Sequence, residues 1–375
     1  MTNRERAMNI LHYKKTDRMP AVHFGYWNEL LDEWAEQGHI SRELSENWYD
    51  GSAADKELDK IIGWDFNWYT TTSGSIRLDP PFEYKVLETL PDGFQRIQNP
   101  EGLIERIRPG ASSIPAEDDY QLKDRKAFEE LYLPKMQYFQ GRIDPNIFNE
   151  NFMKDRDFPL GLHLGSIFGE IRNMLSVIGM SYMMCDDPDL LAEIVDTYAD
   201  LQYRCAEEIL KTGIKFDFAH FWEDICFKNG PLLSPALFEE LCAKHYKKRC
   251  DLVRSYGIDI ISLDCDGVTE MLLPVWFENG VNTMFPIEVG TWGDQFEPAR
   301  RKFGKGMLGV GAMDKTALRK DRAAVDEELS RIQRLVKLGG YIPCPDHRIM
   351  PGSKFELVRY YAEKIKELEP YSPEE

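Results

Sequence analysis

The 375-residue chain carries 46 basic against 64 acidic side chains, a formal net charge of -18, and 43% of its residues are hydrophobic. That apolar content suffices for one large α/β barrel or two ordinary domains. The negative balance argues against a surface that tracks phosphates or an anionic membrane, so neither nucleic acid nor lipid is an expected partner.

The chain opens on "MTNRERAMNILHYKK", which lacks the apolar stretch of a signal peptide, and no later run reaches the length of a membrane span. Candidate strands follow in order: "MPAVHFG" (from 19), "FPLGLHLG" (158), "KFDFAHFWED" (215), "IDIISLDCDG" (258), "VNTMFPIEVG" (281), "GMLGVGAMDK" (306) and "GYIPCPDHR" (340). Amphipathic stretches separate them. In "SPALFEELCAKHYKKRCDLVRSYG" Ser234 reads as the N-cap before Pro235, and Gly257 stops the helix. "DPDLLAEIVDTYADLQYRCAEEILKTG" and "DRAAVDEELSRIQRLVKLGG" share that design. Alternating strands and helices predict a parallel sheet. Seven strands, with one more easily missed, favour a closed (β/α)8 TIM barrel of residues 1–375, and no G-x-G-x-x-G loop supports a dinucleotide fold. Residues 65–135 break the alternation, where "FEYKVLETLPDGFQRIQNPEGLIERIRPG" predicts three antiparallel strands turning at Pro91-Asp92-Gly93 and Pro100-Glu101-Gly102. This β-meander insertion is placed after the first strand. The seven cysteines show no C-x-x-C spacing and read as free thiols of a cytoplasmic protein.

In such barrels chemistry gathers at the C-terminal ends of the strands. The polar residues there are His23, His163, His220 with Glu223 and Asp224, then Asp264 and Asp266 flanking Cys265. Glu288, Asp314 with Lys315, and Cys344 with Asp346 and His347 complete the set. Each histidine taken alone is more often a satisfied core residue than a ligand, and "DCDG" also suits a hydrogen-bonded turn. Strand alternation turns Cys265 away from its two acidic neighbours. Trp27, Trp222, Tyr26 and Phe221 at strand exits suit an aromatic substrate or plain packing.

The segments "FWEDICFKNGPLLSPALFEEL", "YGIDIISLDCDGVTEMLLPVWFENGVNTMFPIE" and "GGYIPCPDHRIMPGSKFELVRYYAEKI" resemble the uroporphyrinogen decarboxylase superfamily. The resemblance implies a (β/α)8 barrel and one of two activities. One branch decarboxylates porphyrinogens and carries an arginine-rich N-terminal motif. Here the matching strand exit reads "VHFGYWNELLDEW", with no arginine and three acids close behind. The other branch moves methyl groups to or from corrinoid proteins, often with zinc held by an H-x-C pair and a later cysteine. The H-x-C position matches Asp264-Cys265-Asp266, and the later cysteine falls within "CPDHR".

The resemblance therefore implies a single zinc ion held by Asp264, Asp266 and His347, an oxygen-rich set suited to a Lewis acid acting on oxygen. Glu223, with His220 and Asp224 beside it, is expected to protonate the leaving group. His23, Trp27, His163, Trp222 and Glu288 are expected to hold the substrate. The implied reaction is methyl transfer from a small methoxylated donor to the Co(I) of a separate corrinoid protein, since no D-x-H-x-x-G segment is present. The alternative is decarboxylation of a small or porphyrinogen-type acid, for which Arg348 and Lys315 are the evident cationic anchors. A homodimer is compatible with either.

Overall fold

The computed structural model describes residues 1–109, 115–144 and 156–373. Its strands in chain order are β1 (Val22–His23), β2 (Phe66–Asn67), β3 (Thr71–Thr72), β4 (Lys85–Thr89), β5 (Gln95–Gln98), β6 (Leu103–Ile107) and β7 (Ala116–Tyr120). They continue as β8 (Gly161–Gly165), β9 (Phe218–Trp222), β10 (Cys226–Phe227), β11 (Gly230–Pro231), β12 (Ile261–Asp264), β13 (Thr283–Phe285), β14 (Leu308–Met313) and β15 (Tyr341–Pro345).

A seven-stranded parallel sheet runs β3-β8-β9-β12-β13-β14-β15, and β1 pairs in parallel with β2. Residues between Asn67 and Thr71 carry the chain from that pair into the large sheet. At the other edge Tyr26 bridges Ile349 in parallel, with the Trp27 N–H donating to the Ile349 carbonyl and the Ile349 N–H to the Gly25 carbonyl, each at 3.0 Å. The ring is thus the predicted (β/α)8 barrel, and the missed strand is β2 with β3. "DFNWYTT" hides it, because short strands broken by polar residues show no alternation.

Helices pack outside the ring for the reason that the sequence suggests. Pro235–Ser255 starts where the Ser234 hydroxyl accepts the Leu237 N–H at 3.2 Å, and the chain leaves it through Gly257 at a φ of 85°. Asp187 and Asp321 cap Pro188–Lys211 and Arg322–Val336 in the same way. No helix among the described residues is long and apolar enough to cross a membrane.

The insertion differs from expectation at both ends. Residues 66–72 belong to the barrel, so the inserted sheet starts later and follows the second barrel position rather than the first. It has four antiparallel strands, ordered β4-β5-β6-β7, instead of three. The extra strand, "AEDDY", is nearly all exposed and acidic, so hydrophobic patterning could not reveal it. β7 lies against the helix Gly169–Asp186, where a Cβ on Gly179 would come within 2.5 Å of the Tyr120 ring. Arg77 reaches Glu170 at 3.2 Å and Glu101 at 3.8 Å, tying the insertion to the barrel rim beyond β8.

Candidate functional site

Alternation along β9 and β12 decides which side chains reach the barrel lumen. His220 pairs in register with Ser262 and Trp222 with Asp264. The His220 Nδ1 lies 2.6 Å from the Ser262 hydroxyl, and its ring meets Tyr69, His163 and Phe285 at centroid distances of 5.1, 5.7 and 5.6 Å. His220, Trp222 and, beyond the strand, Asp224 therefore share the inner face with Ser262, Asp264 and Asp266. Leu263 and Cys265 take the outer face and line an apolar cavity with Trp276 and Met284. Burial pushes the Cys265 thiol up, as it does that of Cys344, so neither is a ready thiolate.

At the mouth the Asp266 and His347 side chains meet at 3.3 Å, and the His347 ring stacks on Trp27 at 5.8 Å. Ligand atoms of Asp266, Glu288 and His347 lie within 4.8 Å of one another. Glu288 also accepts the Gly267 N–H at 3.2 Å and faces Lys315 at 3.5 Å. Burial, then the Asp266 charge, raise the Glu288 carboxyl to about 7 against the pull of Lys315. Asp264 is 4% exposed, and its carboxylate makes no hydrogen bond or ion pair among the described residues, while its backbone carbonyl accepts the Glu223 N–H at 2.7 Å. Burial holds its carboxyl well above the usual range, and the charges of Asp266 and Asp224 add to that. Asp224 is raised too, by burial first, with Arg172 at 3.4 Å opposing.

Two backbone features place these acids. Gly267 has a φ of 91°, and a Cβ there would come within 2.6 Å of the Cys226 backbone. Only glycine fits where the chain turns past the β10-β11 hairpin. Ile287 has a φ of 61°, unusual for a β-branched residue, and its carbonyl accepts the Val289 N–H at 2.8 Å. Glu288 sits at the apex of that tight turn.

Several expected roles change. Glu223 follows Trp222 and so points outward; it is fully buried. Its carboxylate accepts the backbone N–H groups of Ile167, Phe168 (3.1 Å) and Gly169 (2.8 Å) and faces the Ser166 hydroxyl at 3.2 Å. It caps the helix Gly169–Asp186, whose own N-cap residue, Phe168, offers no acceptor side chain. His23 also turns away from the lumen. It stacks on Trp64 at 5.5 Å, and its Nε2 lies 2.7 Å from Asp59 on the helix Ala53–Ile62. Phe24 takes the inner position instead, 4.6 Å from the Phe285 ring. His220 is on the inner face but away from Glu223, so the two do not act as neighbours. His163, Trp222, Trp27 and Asp224 remain at the lumen or mouth.

The two cations considered as substrate anchors are both engaged. Lys315 lies 3.3 Å from Asp346, 3.5 Å from Glu288 and 3.1 Å from the Thr291 hydroxyl. Arg348 grips Asp50 at 2.6 and 3.2 Å, above the Phe24 ring. Asp50 was missed because nothing local marks a residue 298 positions away in sequence as a partner.

The uroporphyrinogen decarboxylase (URO-D) family profile matches residues 155–368, more than half of the chain. The protein belongs to this family. A search of curated proteins finds no match. Among solved structures, a methyltransferase from Methanosarcina mazei is similar at 15% identity over 98% of this chain and 99% of that one, with a TM-score of 0.60. A B12-independent methionine synthase from a Shewanella species, in complex with selenomethionine, aligns at 12% identity over 93% and 98%, with a TM-score of 0.48. At such identities the likeness is one of fold.

On this URO-D barrel the donor set at the mouth fits a divalent ion, with one change from expectation. Asp266 and His347 are brought together, but the third member is Glu288, expected to bind substrate, while Asp264 lies outside the trio. One buried oxygen of Asp266, Oδ1, has no hydrogen-bond partner among the described residues and so is free to serve as a ligand atom. One imidazole and two carboxylates is a set that zinc accepts. His23, Asp55 and Asp59 are also close together. There Asp55 already accepts from Trp48 Nε1, the Gly51 N–H and Asn67 Nδ2 at 2.8–3.0 Å. Those bonds tie Asp55 to β2 and to the start of its own helix, whereas His23 Nε2 and Asp59 Oδ1 make no hydrogen bond among the described residues, so this trio also offers ligand atoms.

Proposed function

We propose that the protein moves a methyl group from a small, oxygen-methylated donor to the Co(I) of a corrinoid carried by a separate protein. Asp266, Glu288 and His347 would hold a single zinc ion, which supplies Lewis acidity to the leaving oxygen. The C–O bond breaks with its electron pair staying on oxygen, carbon bonds to cobalt, and the oxygen leaves as an alcohol or phenol after taking a proton. Asp264 and Asp224, the acids beside the trio, would face that oxygen in place of Glu223. Trp27 and Trp222 would flank the donor, with its methyl group toward solvent and the incoming partner.

The observation that carries this reading is Asp264, a buried carboxyl at a strand end with no hydrogen-bond or ion-pair partner among the described residues, beside a trio suited to a metal. A fold does not need such a group, and function accounts for it. The methyltransferase likeness of the Methanosarcina structure agrees with it. Decarboxylation of an anionic substrate, which the family name suggests, meets the engaged Lys315 and Arg348 and an excess of acids at the mouth.

The test incubates the purified protein, after metal analysis, with a Co(I) corrinoid protein and a panel of methyl ethers. Methylated corrinoid and demethylated donor should appear together. Carbon dioxide released from a carboxylic acid with no corrinoid present would move the protein to the decarboxylating branch.

A further inference from the structure

Below the acids, the lumen holds His163, expected from the sequence to hold the substrate. The backbone N–H of Gly165 donates to the His163 Nδ1 at 3.0 Å, which leaves the ring proton on Nε2. That Nε2–H finds no acceptor among the described residues, and the ring is only partly buried. Burial, reinforced by the Arg77 charge, lowers His163 to about 4, so the imidazole is a neutral donor at physiological pH. Its ring stands edge-on to Tyr69 at 6.5 Å and to His220 at 5.7 Å.

Strand register fixes its depth. His163 pairs with His220, and His220 with Ser262, whereas Asp264 pairs with Trp222 two residues further on. His163 thus lies one side-chain layer below Asp264, about 6–7 Å along the strands. A donor whose ether oxygen sits among the acids would reach this layer with its far end.

We propose that His163 is a specificity-determining residue, donating its Nε2–H to an uncharged oxygen at the far end of the methyl donor. The inference rests on the methyl-transfer reading and adds the class of substrate: a methyl ether with a second, neutral oxygen. A hydroxyl or carbonyl fits this donor. A carboxylate does not, because each nearby cation is already held by an acid: Arg77 by Glu170, Arg172 by Asp224 and Arg348 by Asp50. An anionic tail would have to take one of them from its partner.

Binding of 4-methoxyphenol, methoxybenzene and 4-methoxybenzoate, measured by calorimetry on the metal-loaded protein without corrinoid, tests the proposal. The wild type should bind 4-methoxyphenol at least tenfold more tightly than methoxybenzene, and 4-methoxybenzoate more weakly than 4-methoxyphenol. His163→Phe should remove the difference between the first two by weakening 4-methoxyphenol alone, and His163→Gln, which keeps an N–H donor, should restore part of it. Thermal melts of both variants confirm that they are folded. The proposal is overturned if the ratio survives in His163→Phe, if the benzoate is preferred, or if none of the three binds. A parallel methyl-transfer assay separates this from the reading beneath it. His163-dependent binding without methylated corrinoid would sink methyl transfer and leave the subsite, whereas equal turnover of the phenol and methoxybenzene would do the reverse.

Discussion

Replacing Glu223 separates a structural carboxylate from a catalytic one. In the wild type this side chain is fully buried and satisfies three backbone N–H groups at the start of the helix Gly169–Asp186. Glu223→Ala would leave those donors buried without an acceptor, at about 1–3 kcal/mol each before relaxation. It also removes a negative charge from a helix N-terminus, worth up to about 2 kcal/mol in a partly buried setting. Relief of the desolvation that raises the Glu223 carboxyl works the other way. A net loss of about 3–5 kcal/mol is therefore expected, comparable to breaking a buried ionic contact and a large part of typical domain stability. Glu223→Gln keeps one carbonyl acceptor and should lose about 1–3 kcal/mol.

Urea titration at neutral pH gives these values as a shift of midpoint at constant slope, read by both fluorescence and circular dichroism. Methyl transfer per folded molecule, measured well below the transition, should stay within a few-fold of wild type for Glu223→Gln. A general acid lost from the site would instead slow turnover by about 10²–10⁴. A Glu223→Gln protein as stable as wild type but slowed a hundredfold would refute the assignment of this residue to the helix cap.

Asp266→Ala and Glu288→Gln should each lower bound zinc well below one ion per chain by elemental analysis, with melting temperatures within a few degrees of wild type; full retention by both would remove the trio from consideration. Asp264→Asn should keep the metal, slow methyl transfer by tenfold or more, and raise stability, because it relieves a buried carboxyl among like charges; a loss of stability would show that Asp264 has a structural partner. Ile287→Gly should relieve the left-handed strain, about 1–3 kcal/mol, yet weaken zinc binding by loosening Glu288, and unchanged zinc affinity would show that the turn does not set that side chain. Burial holds the Asp294 carboxyl at about 6, above its usual 3.8, although Thr269 donates to it at 2.9 Å. Its ionised form is disfavoured in the folded state, so wild-type stability should fall as pH rises from about 4 through about 6. Asp294→Asn should flatten that fall and gain up to about 3 kcal/mol at pH 7, and parallel stability profiles for the two proteins would contradict it.

The barrel was legible because strand and helix periods differ, and the caps at Ser234, Asp187 and Asp321 are local signals in the sequence. The site was legible as a set of strand ends but not residue by residue. "HFWED" shows why: His220, Trp222 and Asp224 face the lumen and Glu223 does not, so treating every polar residue at a strand exit as one group misplaces one in four. Parity within β9 would have separated them. A further clue lay 54 residues upstream of Glu223 at its nearest, where "GSIFG" starts a long helix with no capping side chain of its own and so requires an acceptor from elsewhere. His23 failed for the same reason of parity, on a strand only two residues long. Glu288 was expected to hold substrate and not to join Asp266 and His347, because its position depends on the left-handed turn at Ile287, which no residue preference announces.

The charges at the mouth do not cancel, and the imbalance bears on function. Arg172 meets Asp224, Lys315 is shared between Asp346 and Glu288, and Arg348 is taken by Asp50. Among the described residues the Asp266 carboxylate pairs only with His347, and the Asp264 carboxylate has no ion pair, with Arg348 alone opposing its acidic neighbours from further off. Grouping acids in a partly buried space destabilises the folded chain unless a proton or a cation joins them. The barrel itself would be better served by amides at these positions, since the core beneath is already continuous and apolar. An arrangement that costs stability, held in place by a strained turn at Ile287 and a glycine that no other residue can replace, is what a site built to receive positive charge requires. A metal ion would fill that requirement at Asp266, Glu288 and His347, and a proton at Asp264 would fill what remains, so the two forms of activation proposed for the leaving oxygen are parts of one electrostatic balance.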